Sequence, residues 1–478
     1  MFCKNPCLKC ETASNPKQVD YGPILSMTML SFIDYLFIAF YFVIILIVGF
    51  WSGRKQDREE YLIAGRKLKS LQATTTIFSS RIGAAILLTY TALVYVYGLG
   101  AMWYFIGSVF GLFLFYFFGK KVKKMADTHK FYTLPDFFFH TKGRFAGYMA
   151  TIITVVIMFG WVVLNFTAGA RLIEEYTSIS YEFSVVIVGI IILLYLLAGG
   201  FNAVVKTDII QTIGIFLLFI LMVFLLIDTP TKPQLVANDM FSIPVSEIIS
   251  FFLAGFFIPL ASPELWQRVY AIKDNNHFKR SLFLSSLFYF IIGFILLMIG
   301  LVIRVDLPEL SADTSLIVGF SKLLPAGFAG LSVVIIYSSV SSSADTYMFT
   351  TAASVTQDFL EKSNLLKKEK LQFYMRISMT LLMALGIAMA LIIRDIVDAT
   401  FFFVSLTMSL GFLILVIWIY PKINRHSVNF SIFFCLIGVI VPSFLFGIST
   451  TLIVYAWALC TAGLIFGFFM NWLKPLSG

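Results

Sequence analysis

Charge is scarce in this 478-residue chain. Asp, Glu, Lys and Arg make up 13% of it, against roughly a quarter in a soluble domain. With 59% hydrophobic residues and a mean hydropathy of +0.91, that shortage excludes an ordinary soluble enzyme, a disordered chain and a collagen-like fibre. Histidine is scarcer still, with four residues. His129, His140, His277 and His426 all fall between apolar runs and read as solvated or headgroup-facing side chains rather than metal ligands. No P-loop, zinc pattern or nucleophile motif is present, so the chain does not read as an ATP-driven pump. Residues 1–29 lack the uninterrupted apolar core of a cleavable signal peptide.

Cysteine is also sparse, with five residues. Cys435 and Cys460 sit in apolar runs and read as small core residues. Cys3, Cys7 and Cys10 form a C-x3-C-x2-C pattern that resembles the iron–sulfur loop of radical SAM enzymes. Nothing after it resembles the α/β barrel such an enzyme needs. The pattern reads instead as a flexible tail, or as an over-long start with translation beginning at Met27 or Met29.

What the chain has is apolar runs of spanning length: 31–53, 71–97, 101–119, 146–170, 183–200, 209–227, 248–266, 281–303, 326–352, 377–393, 399–420, 428–449 and 451–473. A spanning helix needs about 20 apolar residues. The runs are too long for barrel strands and do not alternate. The expected fold is an all-α integral membrane bundle of about 13 helices, with the lipid bilayer as its first partner.

The net charge of +9 sits in the joints. Counted alternately, one set of joints holds 26 Lys and Arg and the other holds 8. This bias puts the richer side in the cytoplasm, the N-terminal tail 1–30 outside and the C-terminus inside. It accounts for the positive charge, so no nucleic-acid partner is needed, and no protein partner is called for either.

Two runs are imperfect. The second reads TTTIFSSRIGAAILLTYTALVYVYGLG, and the seventh reads ISFFLAGFFIPLASPELWQR with Pro259 and Pro263. Proline interrupts the helical ladder, and freed carbonyls at membrane depth must be satisfied by protein, water or an ion. Interrupted helices at matching places in two halves mark the site of a secondary transporter. Residues 71–228 and 247–420 each hold five runs. An odd count makes the second unit inverted. The run at 31–53 and the pair within 428–473 lie outside the units.

The ninth run carries SSVSSSADTYMFTTAAS. Ser339, Ser342, Ser343 and Thr346 fall on one stripe at helical spacing. Hydroxyl and carbonyl oxygens suit a hard cation such as Na⁺. Small-residue helix packing explains the same stripe. Asp345 tips the balance, because a carboxylate at membrane depth is costly and usually functional. Asp208, which opens the sixth run, reads either as a cap at a positive helix end or as a cation ligand. Arg81 lies mid-run beside the presumed break. Three roles compete for it: anchor for a substrate carboxylate, structural partner of Asp345 or Asp208, or built-in cation that alters ion dependence. Tyr90, Trp161, Phe257 and Trp266 are candidates for a cavity wall.

Four segments in order, EEYLIAGRKLKSL, LLAGGFNAVVKTDIIQTIG, PELWQRVYAIKD and SSSADTYMFTTAASVTQDF, resemble the sodium:solute symporter family across about residues 31–420. The resemblance implies a LeuT-type 5+5 inverted repeat. It also implies Na⁺ as coupling ion, no organic cofactor and no enzymatic activity. It places a sodium site at the backbone of Ser79 and Ile82, the Ser339 carbonyl, and the Ser342 and Ser343 hydroxyls. A second ion site would involve Asp208, Ser342, Asp345 and Thr346. Arg81 departs from the family, where an uncharged or acidic residue is common. Unit charges about 4 Å apart interact by about 4 kcal/mol at an effective dielectric of 20. A fixed cation must therefore point away from sodium, into the cavity, or modify coupling.

Arg81 also disfavours a sugar or a cation such as choline. The expected function is sodium-coupled symport of a small carboxylate or zwitterion, of amino acid or monocarboxylate type, by alternating access. The rivals are a membrane sensor of the same fold, a sodium-independent transporter and a channel.

Overall fold

A computed structural model describes residues 30, 32–53, 56–229, 237–323, 329–366 and 368–473. Cys3, Cys7, Cys10, Met27 and Met29 lie outside the described residues. The described residues are helical nearly throughout. Helix α1 (Phe32–Ser52) is followed by a short α2 (Arg58–Ile63) and by α3 (Ser70–Arg81). Beyond a break come α4 (Thr91–Tyr97), α5 (Met102–His129), α6 (Leu134–Lys142), α7 (Arg144–Tyr176) and α8 (Tyr181–Asp228). The later half holds α9 (Val245–Ala261), α10 (Pro263–Ala271), α11 (Asn275–Asp306), α12 (Ser315–Leu323) and α13 (Ala329–Ala353). It closes with α14 (Leu371–Ile392), α15 (Ile396–Ile419), α16 (Arg425–Phe446) and α17 (Thr451–Leu473).

Among the described residues, ten helical stretches are long and apolar enough to cross a membrane, against the thirteen runs of the sequence. Three differences account for this. The second run breaks after Arg81, and its remainder continues through α4 into α5 with a turn at Gly98. The fifth and sixth runs fall in one stretch, α8, as two helical segments that meet at a non-helical Gly200, with the polar joint 201–207 continuing the second segment. The serines and threonines of α13 lower its hydropathy, and it is not among the ten.

Helix α8 is 48 residues long. At about 1.5 Å per residue it would reach roughly 72 Å if straight, more than twice the hydrocarbon thickness. Gly200 bends it, with φ 56° and ψ −149°. A Cβ there would lie 2.5 Å from the Tyr61 ring, so the conformation and the space both require glycine.

Polar caps open several of the other helices. Asp274 accepts from the amides of Asn276 (2.9 Å) and His277 (3.0 Å) to open α11. Thr133 and Asp136 form a capping box on α6. Large apolar side chains cover the outer surface: Phe32, Trp51, Phe183, Ile220, Phe283 and Phe444 are all more than half exposed. Such a surface suits hydrocarbon rather than water.

Helix α3 packs against α8, α11, α13 and α10 at the centre of the bundle. The strand-like segment before α3 meets the one after α10. The Leu68 amide donates to the Ala271 carbonyl (3.1 Å), and the Lys273 amide donates to the Leu68 carbonyl (3.0 Å). Cys435 and Cys460 are free and buried.

Candidate ion and solute site

The site forms where α3 stops. Its regular backbone ends at Ile82, with φ −97° and ψ 64°. The chain re-enters a helix through a π-helical turn at Ala85–Tyr90. The intervening Gly83 lies flush against α13. A Cβ on it would fall 2.2 Å from Ser343 Oγ and 3.1 Å from Asn165 Oδ1. Asn165 fastens the break from the α7 side, its Oδ1 accepting from the Ala84 amide at 3.1 Å. Its Nδ2 donates to the Trp161 carbonyl at 2.7 Å, which fixes the amide.

The carbonyls released by the break face α13. Ser343 Oγ donates to the Ser80 carbonyl at 3.0 Å, and Tyr347 Oη donates to the same oxygen at 3.2 Å. Ser339 Oγ donates to the Ile82 carbonyl. The Ser79 carbonyl is taken by the Ile82 amide at 3.1 Å. Ser79, Ile82, Ser339 and Ser343 therefore meet in one buried cluster of oxygens. Three details differ from the expected pattern. Ser339 presents its hydroxyl to the break, and Ser80 is the break residue whose carbonyl meets the Ser343 hydroxyl. The Ser342 hydroxyl turns away and donates to Asp208 Oδ1 at 2.6 Å.

Asp208 belongs to a second buried cluster, which contains a residue the sequence did not bring forward. Arg268, on α10, has a fully buried side chain. Its Nη2 lies 3.1 Å from Asp208 Oδ2 and donates to Thr346 Oγ1 at 2.6 Å. Its Nε donates to the Thr76 hydroxyl (2.8 Å) and carbonyl (2.9 Å), and Thr76 Oγ1 donates to Asp208. Asp345 stands apart, with Oδ2 accepting from Tyr195 Oη at 2.8 Å. Of the residues expected at a second ion site, the structure joins Asp208, Ser342 and Thr346 around a guanidinium.

Beside the break opens a pocket. Arg81, Tyr90 and Trp161 line it, together with Tyr104, Met158, Phe251, Glu264, Tyr289, Tyr347 and Phe401. Phe257 is not among the lining residues; it packs on Phe256 and Phe412. Trp266 is buried, its indole donating to the Leu260 carbonyl at 2.8 Å. The Arg81 guanidinium lies 5.1 Å from the centre of the Tyr289 ring.

Beyond α13 the helix widens into a π-helical segment, Ser354–Glu361. Here Arg58 forks onto Glu361 with contacts of 2.9 and 2.7 Å. Asp358 accepts from Thr133 Oγ1 (2.9 Å) and from Lys362 Nζ (2.8 Å), while Lys362 also reaches Asp136. Burial raises the Asp358 carboxyl to about 7; the Asp136 charge adds to the rise and Lys362 opposes it.

The sequence signature of the "Sodium:solute symporter family" matches residues 61–420. The chain belongs to that family, and it is a multi-pass membrane protein. Its similarity to "Sodium/proline symporter" proteins of Staphylococcus aureus strains Newman and JH9 is 29% identity over 191 residues. That match covers 37% of this chain and 36% of each relative, so it spans little more than a third of the curated proteins. The fold is similar to that of a solved Na⁺-coupled sialic acid symporter, with a TM-score of 0.74 and 16% identity over 91% of this chain and 98% of that one. This likeness fixes the architecture as the LeuT-type all-α membrane fold expected above.

Proposed function

We propose that the protein is a sodium-coupled symporter of a small carboxylate-bearing solute. The observation that carries this reading is the apposition of the α3 break, with its Ser80 and Ile82 carbonyls, to the Ser339 and Ser343 hydroxyls of α13. The set is all oxygen and uncharged, which suits a hard monovalent cation. In this reading Na⁺ displaces the two serine hydroxyl protons from the carbonyls and takes oxygens from both helices, so its binding draws α3 onto α13. Arg81, one residue before Ile82, anchors the solute carboxylate in the adjoining cavity.

Coupling then has a physical route. Sodium orders the break that positions Arg81, and a solute on Arg81 orders the same break for sodium. The two affinities must rise together by the same factor. Arg268 already neutralises Asp208, so we assign one coupled Na⁺ rather than two. The units 71–228 and 247–420 rock against each other in alternating access. The N-terminus faces outward and the C-terminus the cytoplasm, supported by the 26-to-8 distribution of Lys and Arg.

The test is ligand-dependent thermal stability of detergent-purified protein in NaCl and in KCl, followed by uptake into proteoliposomes. A ligand of the folded state raises apparent stability by mass action. Carboxylates that stabilise only in NaCl, and that accumulate down a sodium gradient, support the reading. Stabilisation without accumulation would make the protein a sensor. Equal action in KCl would remove sodium from the mechanism.

A further inference from the structure

The cavity holds a second buried charge that nothing above employs. Glu264 lines it together with Arg81. It stands in the first turn of α10, directly after the Ser262–Pro263 interruption that ends α9. Both side chains are buried, Arg81 9% and Glu264 4% exposed. Both have unsatisfied atoms: Arg81 Nε and Glu264 Oε2 are buried without a hydrogen-bond partner. No ion pair joins the two among the described residues. Arg268, one turn further along α10, touches the Glu264 carbonyl at 3.3 Å rather than its carboxylate.

Two opposite charges therefore line one pocket without touching, one at each helix interruption. A buried charge is costly unless paired, and each lacks its full complement. The ligand that completes both carries both signs. We infer that the solute is a zwitterion whose carboxylate meets Arg81 and whose cationic nitrogen meets Glu264, with an apolar body against Met158, Trp161 and Phe401. A sugar would leave both charges unmatched. A simple monocarboxylate would leave Glu264 unpaired beside an added negative charge. An amine would face Arg81.

This inference rests on the carboxylate reading above and narrows it. The experiment measures binding to the full-length purified protein in NaCl. The probes are L-leucine and L-proline, the deamino acids 4-methylpentanoate and cyclopentanecarboxylate, and the amides leucinamide and prolinamide. Wild-type protein is expected to bind a zwitterion at least about tenfold more tightly than its deamino or amide counterpart, since a buried charged hydrogen bond is at stake. Glu264→Gln is expected to reverse the order of zwitterion and monocarboxylate. Retained monocarboxylate binding by that variant shows that it is folded. Arg81→Gln is expected to lose both.

Equal binding of zwitterion and monocarboxylate, or an unchanged ratio in Glu264→Gln, would overturn the inference and leave the carboxylate reading standing. Preference for the amides, or no binding by any carboxylate, would overturn both.

Discussion

Arg268 Nη2 lies 3.1 Å from Asp208 Oδ2, with both side chains fully buried. A resident cation thus sits on the carboxylate that the sequence offered as a ligand for a second ion. Removing one member of such a pair leaves the other uncompensated, at a typical cost of about 3–5 kcal/mol. Asp208→Asn should lower the unfolding temperature of purified protein sharply. The double change Asp208→Asn with Arg268→Gln should recover part of the loss. The proposal of one coupled ion also predicts a sodium dependence of uptake with a Hill coefficient near one. A coefficient near two would restore the second site.

Ser343 is expected to act on sodium rather than on the transport cycle as a whole. Ser343→Ala removes one oxygen that faces the break. It should raise the half-saturating sodium concentration by about tenfold, the equivalent of one hydrogen bond of about 1.4 kcal/mol. The maximal rate at saturating sodium should change far less. An equal loss at every sodium concentration would mean that Ser343 only packs.

Gly83 tests the geometry of the break. A Cβ there falls 2.2 Å from Ser343 Oγ and 2.5 Å from Ser343 Cβ. Gly83→Ala must push α3 and α13 apart, and overpacking of this kind costs about 1–3 kcal/mol. Sodium-dependent stabilisation should vanish in this variant. The pair Gly83→Ala with Ser343→Gly, which removes both the Oγ and the Cβ that clash, should regain part of the stability but not the sodium response, as judged by melting in NaCl and KCl.

Asp358 gives the protein a pH signature outside its spans. Between the ordinary value of 3.8 and about 7, an unfolded chain has lost this proton while the folded chain keeps it. The folded state therefore binds more protons, and stability falls as pH rises through that window. Above about 7 the contribution is constant. Melting temperatures measured across the window should show the decline, and Asp358→Asn should flatten it. Because Asp136 and Lys362 face the same carboxyl, Lys362→Met should extend the decline to higher pH.

Much of this was legible in the sequence. The serine stripe of α13 and the oddness of Arg81 follow from polar residues standing where a bilayer tolerates few, while the positions Ser79 and Ile82 for the break come from the family resemblance. Other residues were hidden by their surroundings. Arg268 and Glu264 sit in a short charged segment that hydropathy assigns to the edge of a span. Only the interruption at Ser262–Pro263 carries them into the bundle, where Arg268 is wholly buried. Asn165 left a signal, an amide inside VVLNFTAGA, yet one amide in an apolar run does not announce which backbone it fastens. That the polar joint 201–207 is helical was hidden, because a positive-φ glycine at 200 turns the chain directly from one helical segment into the next.

The hydrogen bonds between Leu68 and the segment at Ala271–Lys273 involve no side chains. They tie the start of one interrupted helix to the end of the other through peptide groups alone. Among ordinary substitutions only proline, which lacks the amide hydrogen, removes a donor from this joint, and it also constrains the backbone, so a library of side-chain variants would pass over it in silence. Replacing a single amide by an ester at Leu68 or Lys273 would weaken it while keeping every side chain. Whether the two half-helices travel as one lever or slide past each other is written in the main chain, where side-chain identity has no vote.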